Sequence, residues 1–161
     1  MAEKLIADSS PLIVLLKSDL EIILPELFDE IIVPEEVWEE ILAGKINDIA
    51  KEKLPSLSWL KRTSTKVSEK ILETQNLGKG EAAVLNLALT ISKSRVLVDD
   101  FAARKSAKEL KIPFLGTGGL LVLAKRNGLI LKVTESLVKV RHAGLWLSDE
   151  VVQMIIEKAG E

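Results

Sequence analysis

Apolar positions along the chain keep two different periods, and the two alternate. Leu5-Ile6-Ala7, Ile31-Ile32-Val33, Val96-Leu97-Val98 and the segment Ile112 to Leu115 are short apolar runs, the pattern of strands buried on both faces. Between them the spacing turns helical. Ser10 as cap and Pro11 at the first position open a helix with Leu12, Leu15 and Leu16 inward as far as Lys17. A short helix at Leu20 to Leu24 is expected to stop at Pro25, and P-E-E-V-W-E-E-I-L-A from Pro34 to end at Gly44. Asn47 to Leu54 reads as a further amphipathic helix broken by Pro55 and Ser56, and Trp59 and Leu60 open a short strand or an extended connection. Lys61 to Ser68 gives no readable period. Ile71 and Leu72 suggest a short helix, N-L-G-K-G a turn, and Glu81 to Ile91 a strongly apolar helix.

Beyond the central strand the pattern predicts a helix over Phe101 to Leu110 and a strand at Ile112 to Leu115. Gly116-Thr117-Gly118-Gly119 then reads as a turn into a helix over Leu120 to Arg126, ended by Asn127-Gly128. Thr134 to His142 and Ser148 to Lys158 close the chain as helices, the last capped by Ser148 with Asp149 and Glu150 in its first turn. Strand and helix alternate through most of this order. That predicts a three-layer α/β/α domain over residues 1–161, around a mostly parallel sheet of about four or five strands, with C-terminal helices from about residue 131.

Composition narrows the chemistry. With 47% hydrophobic and 29% charged residues the chain has the balance of a water-soluble globular domain, and its apolar runs are too short to cross a bilayer. The amino terminus has a strand pattern and no signal-peptide design, so a cytoplasmic location and no membrane partner are expected. There is no cysteine and one histidine, which excludes thiolate sites and disfavours imidazole-rich zinc; any metal must be held by oxygen. A net charge of -2 means that any affinity for nucleic acid has to come from local patches.

The carboxylates are where the pattern becomes specific. Asp8 follows the first apolar run, and Asp99 and Asp100 follow the Val96 to Val98 run. In an open parallel sheet both places face the crevice at the carboxyl ends of the strands, where such folds bind ligands. Each acid taken singly also reads as a helix cap. Glu81 lies within about 80° of Val84, Leu85, Ala88 and Leu89 on a helical wheel, in line with the buried stripe, although a first-turn carboxylate also suits the helix dipole. Glu39 and Glu40 flank the apolar face of Val37, Trp38, Ile41 and Leu42 symmetrically, and periodicity does not choose between them. Clustered carboxylates repel one another unless a divalent cation neutralises them, and an oxygen-only site suits Mg²⁺ or Mn²⁺.

Five segments stand in a specific order: L-I-A-D-S-S-P at Leu5 to Pro11, V-P-E-E-V-W-E-E-I at Val33 to Ile41, G-K-G-E-A-A-V at Gly78 to Val84, V-L-V-D-D-F-A-A-R at Val96 to Arg104, and F-L-G-T-G-G-L-L at Phe114 to Leu121 with A-K-R-N-G-L-I after it. Together they resemble the PIN-domain nucleases, in particular the branch that includes VapC-like toxin ribonucleases. The resemblance implies Asp8, Glu40, Glu81 and Asp100 as catalytic acids, with Asp99 the near alternative to Asp100. Asp8, Asp100, Asp99 and Glu81 become the candidate metal ligands. Two positions depart from the family pattern: Glu81 stands where Asp is frequent, and Phe101 where a polar or basic residue is common.

A metal-dependent RNA endonuclease without a protein nucleophile is therefore the expected function, with Mg²⁺ or Mn²⁺ as cofactor and RNA as substrate. The resemblance further implies a homodimer and, for the toxin members of the branch, an antitoxin protein as partner. Ser9, Arg104, Thr117 and Lys79 are the candidate substrate contacts, and Lys125 and Arg126 a weaker steering patch; Ser9 also reads as a turn or cap residue, Arg104 equally as pinning the carboxylate cluster, and Gly116, Gly118 and Gly119 as permitting close backbone approach as well as a turn. His142 reads as a packing or solvent residue. The competing expectation is a catalytically weak or inactive PIN-like nucleic-acid-binding or assembly protein, with Trp146, Val151, Ile155 and Ile156 covering a partner or simply packing in the core. A phosphate-handling domain of another kind fits less well, because Gly78-Lys79-Gly80 lacks the rest of a phosphate-binding loop.

Overall fold

A computed structural model describes residues 3–44, 48–66, 71 and 77–161. Its centre is a five-stranded, all-parallel sheet built from β1 (Lys4–Ala7), β2 (Glu30–Pro34), β3 (Leu60–Thr63), β4 (Ser94–Leu97) and β5 (Phe114–Leu115), in the order β3-β2-β1-β4-β5. The apolar runs are unbroken because helices cover both faces, and Leu5, Ile6 and Ala7 of the middle strand are wholly buried. Leu5 pairs with Ile31 on one side and Arg95 on the other. The chain builds outward from β1 through β2 to β3, then returns to place β4 on β1's opposite side. The winding direction therefore reverses between β1 and β4, and in open parallel sheets that reversal opens a crevice at the carboxyl ends of the two strands.

The helices are α1 (Ser9–Lys17), α2 (Ile23–Leu27), α3 (Glu35–Leu42), α4 (Ile49–Lys53), α5 (Lys79–Thr90), α6 (Phe101–Glu109), α7 (Thr117–Arg126), α8 (Val133–His142) and α9 (Asp149–Lys158). No helix among the described residues is long and apolar enough to cross a membrane. The three-layer α/β/α architecture is the one that the alternating periods predict. Several boundaries differ, each for a local reason. Asp8, not Ser10, caps α1, its side chain accepting from the Ser9 amide. Pro25 does not end a helix; it is the third residue of α2, in a first turn whose amides need no helical partner. Of the two readings at Trp59 and Leu60 the strand is the one found: β3 starts at Leu60 and runs into the unreadable segment, where Lys61 and Arg62 are exposed at the sheet's edge and so carry no apolar period. Leu54–Ser56 continues α4 as a 3₁₀ turn. Of the short helix expected at Ile71 and Leu72 only Ile71, which is buried, is described; Leu72 and Asn47 lie outside the described residues.

The largest correction is at the glycines after β5. They are not a turn: α7 begins at Thr117 and holds Gly118 and Gly119 in its first turn. A Cβ on Gly118 would stand 2.9 Å from Ile155 Cγ1, and one on Gly119 2.8 Å from Leu115 Cδ1. Glycine is used here for the close approach of α9 and β5 to α7.

Candidate active site: a carboxylate cleft at the winding reversal

Asp8 leaves β1 with its amide donating to Leu97 O at 3.0 Å, which keeps the chain paired to β4 up to the edge. Its carboxylate turns back to accept from the Ser9 amide at 2.9 Å and is only 4% exposed. Burial pushes this carboxyl up to about 6, against the pull of the Ser9 amide, and the charges of Glu40, Asp100 and Asp99 push the same way. On β4's side, Asp100 caps α6 by accepting from Ala103 N at 3.1 Å through Oδ2. Asp99 is tied differently: Oδ1 accepts from Thr117 N at 2.8 Å and Oδ2 from Thr117 Oγ1 at 2.6 Å, fastening the strand end to the start of α7.

Two helices supply the remaining acids. Glu40 on α3 accepts from Ser9 Oγ at 2.7 Å and from Gly80 N at 3.1 Å, so its carboxylate bridges the starts of α1 and α5. Gly80 is needed for that bridge, since a Cβ there would lie 2.5 Å from Glu40 Oε1. Glu39 is exposed, and Glu35 is paired with Arg62, whose guanidinium lies over the Trp38 ring at 5.0 Å. Glu81, in the first turn of α5, is half-buried and its Oε2 is buried with no hydrogen-bond partner. Burial raises Glu81 to about 7, aided by the charges of Asp100 and Asp8.

Asp8, Glu40, Glu81, Asp99 and Asp100 line one cleft of about 310 Å³. Ser9, Ser10 and Gly78 join them, as do Leu145 and Trp146 from the connection between α8 and α9. The periodicity of the sequence did not point to Gly80, Ser10, Leu145 or Trp146 as parts of the site. The signal for Gly80 was its place one residue before Glu81, and for Trp146 an aromatic between two leucines, a pattern that equally describes core.

The other candidates divide. Thr117 is fully buried and spends its amide and hydroxyl on Asp99, so it positions that acid. Ser9 lines the cleft and orients Glu40. Lys79 is exposed at the start of α5, next to Gly78 of the cleft lining. Arg104 lies over Phe114 at 5.4 Å and faces a neighbouring groove that shares only Asp99 with the acid cleft. Lys125 and Arg126 sit at the far end of α7, where Lys125 pairs with Glu161 at 2.8 Å, so they form no patch beside the acids. Ile155 is buried, which leaves it unable to cover a partner, whereas Trp146 is 83% exposed and is not core.

The donors suit a hard divalent cation. They are all carboxylate oxygens, one of which, Glu81 Oε2, is buried without a partner, and the raised Asp8 and Glu81 mark a cluster short of positive charge. Among the described residues no three of the acids are gathered tightly enough to form a metal site by themselves.

Comparison with known proteins gives the same direction. The family model DUF3368, described as a PIN domain, matches residues 4–161. No curated protein matches the chain.

Proposed function

Since the chain belongs to the PIN-domain family, whose members are generally nucleases, we propose that it is a metal-dependent endoribonuclease whose active site is the carboxylate cleft. The observation that carries this reading is the meeting of Asp8, Glu40, Glu81, Asp99 and Asp100 from four separate elements at the winding reversal. A solvated acidic surface would not need Asp8 buried at 4% exposure, nor a buried, unpartnered oxygen on Glu81.

Asp8 and Asp100 are the assigned holders of Mg²⁺ or Mn²⁺, with Glu40 and Glu81 completing the ligand or water shell. Asp100 suits the role better than Asp99, because both Asp99 oxygens are tied to Thr117, away from the other acids, while Asp100 caps α6 through one oxygen and stands against Glu81. When bound, the cation supplies Lewis acidity toward a phosphate oxygen and makes water a stronger acid. Glu81 Oε2 is free to take a proton from the attacking water, and Ser9 keeps Glu40 turned into the cleft. The test is cleavage of single-stranded RNA with Mn²⁺ by the wild-type chain and by folded Asp8→Asn and Asp100→Asn variants. Loss of turnover in both supports the assignment, and undiminished turnover in both rejects it.

The same reading extends to a toxin neutralised by an antitoxin protein and to a homodimer, both resting on family resemblance. Growth arrest on expression, relieved by the neighbouring gene's product, tests the first, and solution mass tests the second. A second reading, a PIN-domain binding or assembly protein without turnover, is favoured by exposed apolar side chains away from the cleft, Leu131 at 89% and Val138 at 66%. It predicts bound metal with no RNA cleavage.

A further inference from the structure

Among the described residues, two aromatic side chains stand mostly in solvent, Phe101 at 82% and Trp146 at 83% exposed. Both are at the carboxyl edge of the sheet: Phe101 follows Asp100 at the start of α6, and Trp146 lines the carboxylate cleft itself. An indole left in water forgoes the stabilisation that burial would give. Its position therefore calls for an account other than packing.

The backbone around Trp146 is pinned on both sides. Gly144, at φ +112°, ends α8 with its amide donating to Arg141 O at 3.1 Å, and Leu145 N donates to Val140 O at 3.0 Å, the paired bonds of a Schellman stop. On the other side Ser148 caps α9, its Oγ accepting from Val151 N at 3.2 Å. Leu145 and Leu147 are half-buried against the core, and Trp146 between them is left outside. The backbone that presents the indole is thus a three-residue bridge held at both ends. A platform fixed in advance binds at less cost in ordering.

The cleft then has two kinds of lining, carboxylates on one hand and Leu145 with Trp146 on the other. A nucleotide has the same division, a charged phosphate and a planar apolar face. We infer that Trp146 is the stacking platform for an unpaired nucleobase next to the phosphate that the acids act on, and so a specificity-determining residue of the nuclease reading on which this inference rests. Stacking of this kind tolerates any base but requires one that is not paired, because a base inside a duplex already has its faces covered. Discrimination at Trp146 is between single and double strands more than between sequences.

The experiment uses the full chain with Mn²⁺ and a single-stranded RNA oligonucleotide, intact and in a series with one abasic position near the cut. Trp146→Ala should melt as the wild type does, raise KM roughly ten- to a hundredfold with kcat changed little, and be largely rescued by Trp146→Phe. One abasic position should cost the wild type a similar factor and cost Trp146→Ala nothing, since the two changes delete the same contact. If the wild type neither binds nor cleaves the RNA, both the nuclease reading and this one fall. If the wild type cleaves and Trp146→Ala has the same KM, or suffers the same abasic penalty, only the stacking role falls. A fall in solution mass in Trp146→Ala with KM unchanged assigns the indole to a protein contact and likewise overturns it.

Discussion

Asp8→Asn should make the cation-free protein more stable while disabling the site. The Asp8 carboxyl is 4% exposed and lifted from an ordinary 3.8 to about 6, chiefly by burial. Below about pH 3.8 the carboxyl is protonated in both the folded and the unfolded chain, and it costs nothing. Above about pH 6 it is ionised in both, and the folded state bears the whole penalty of a buried charge. Stability therefore declines as pH rises between these values, by about 3 kcal/mol at ~1.4 kcal/mol for each tenfold difference in proton affinity. Glu81, raised from 4.5 to about 7, adds to the decline in the same direction, by a smaller amount because water screens its more exposed carboxyl. Asparagine has no charge to bury and caps helices as well as aspartate does, so the bond from the Ser9 amide to position 8 survives. Urea unfolding in EDTA, followed by circular dichroism at pH 4 and pH 8, reads the effect directly. At pH 8 Asp8→Asn should exceed the wild type by about 2–3 kcal/mol, a midpoint shift of about 1–2 M urea, and at pH 4 the two should nearly coincide. Mg²⁺ should then narrow the gap by stabilising the wild type alone, by ~1.4 kcal/mol at tenfold its Kd. A variant no more stable than the wild type at pH 8, or an equal gap at both pH values, would refute the claim that Asp8 is an uncompensated buried charge.

Three further perturbations test other parts of the structure. Gly80→Ala puts a methyl against the Glu40 carboxylate at the start of α5, so RNA cleavage should fall at least tenfold in a variant that still folds by circular dichroism; unchanged cleavage would show that Glu40 need not stand where it does. Gly118→Ala should lower stability by about 1–3 kcal/mol by crowding Ile155, and Ile155→Val in the same chain should recover part of the loss, a coupling that a double-mutant cycle in urea measures. Glu161 is held down to about 2 by Lys125 and by the amides of Val133 and Thr134, so its stabilisation is complete above pH 4.5 and disappears as pH falls through about 2. Glu161→Gln should accordingly lower Tm at pH 7, by a difference that shrinks toward pH 2 in melts followed by circular dichroism.

Much of the fold was legible because burial on both faces writes itself into short runs. β1, β2 and β4 were readable as Leu5 to Ala7, Ile31 to Val33 and Val96 to Val98, and the helices between them followed from apolar spacing. Of β3 only the start at Leu60 was legible, and there as one of two readings, since an edge strand with exposed Lys61 and Arg62 carries little apolar signal. Gly118 and Gly119 left a choice open for a different reason: glycine marks a turn when its neighbours are local, and a close contact when the neighbour is α9, and only the packed chain tells these apart.

For the candidate site the division is sharper. Local order alone placed Asp8, Asp99 and Asp100 at strand ends and Glu81 in a helix's first turn, because each is decided by residues within a turn or two of it. Periodicity left Glu39 and Glu40 equivalent on the α3 wheel and only the resemblance named Glu40; in the fold it is Glu40 that Ser9 and the Gly80 amide reach. Tertiary contacts likewise bound Asp99 to Thr117, left Asp100 freer, and set Trp146 out beside the acids. Periodicity states which side of an element is buried; it carries no information on which distant backbone arrives at the exposed side, and the cleft is made of such arrivals.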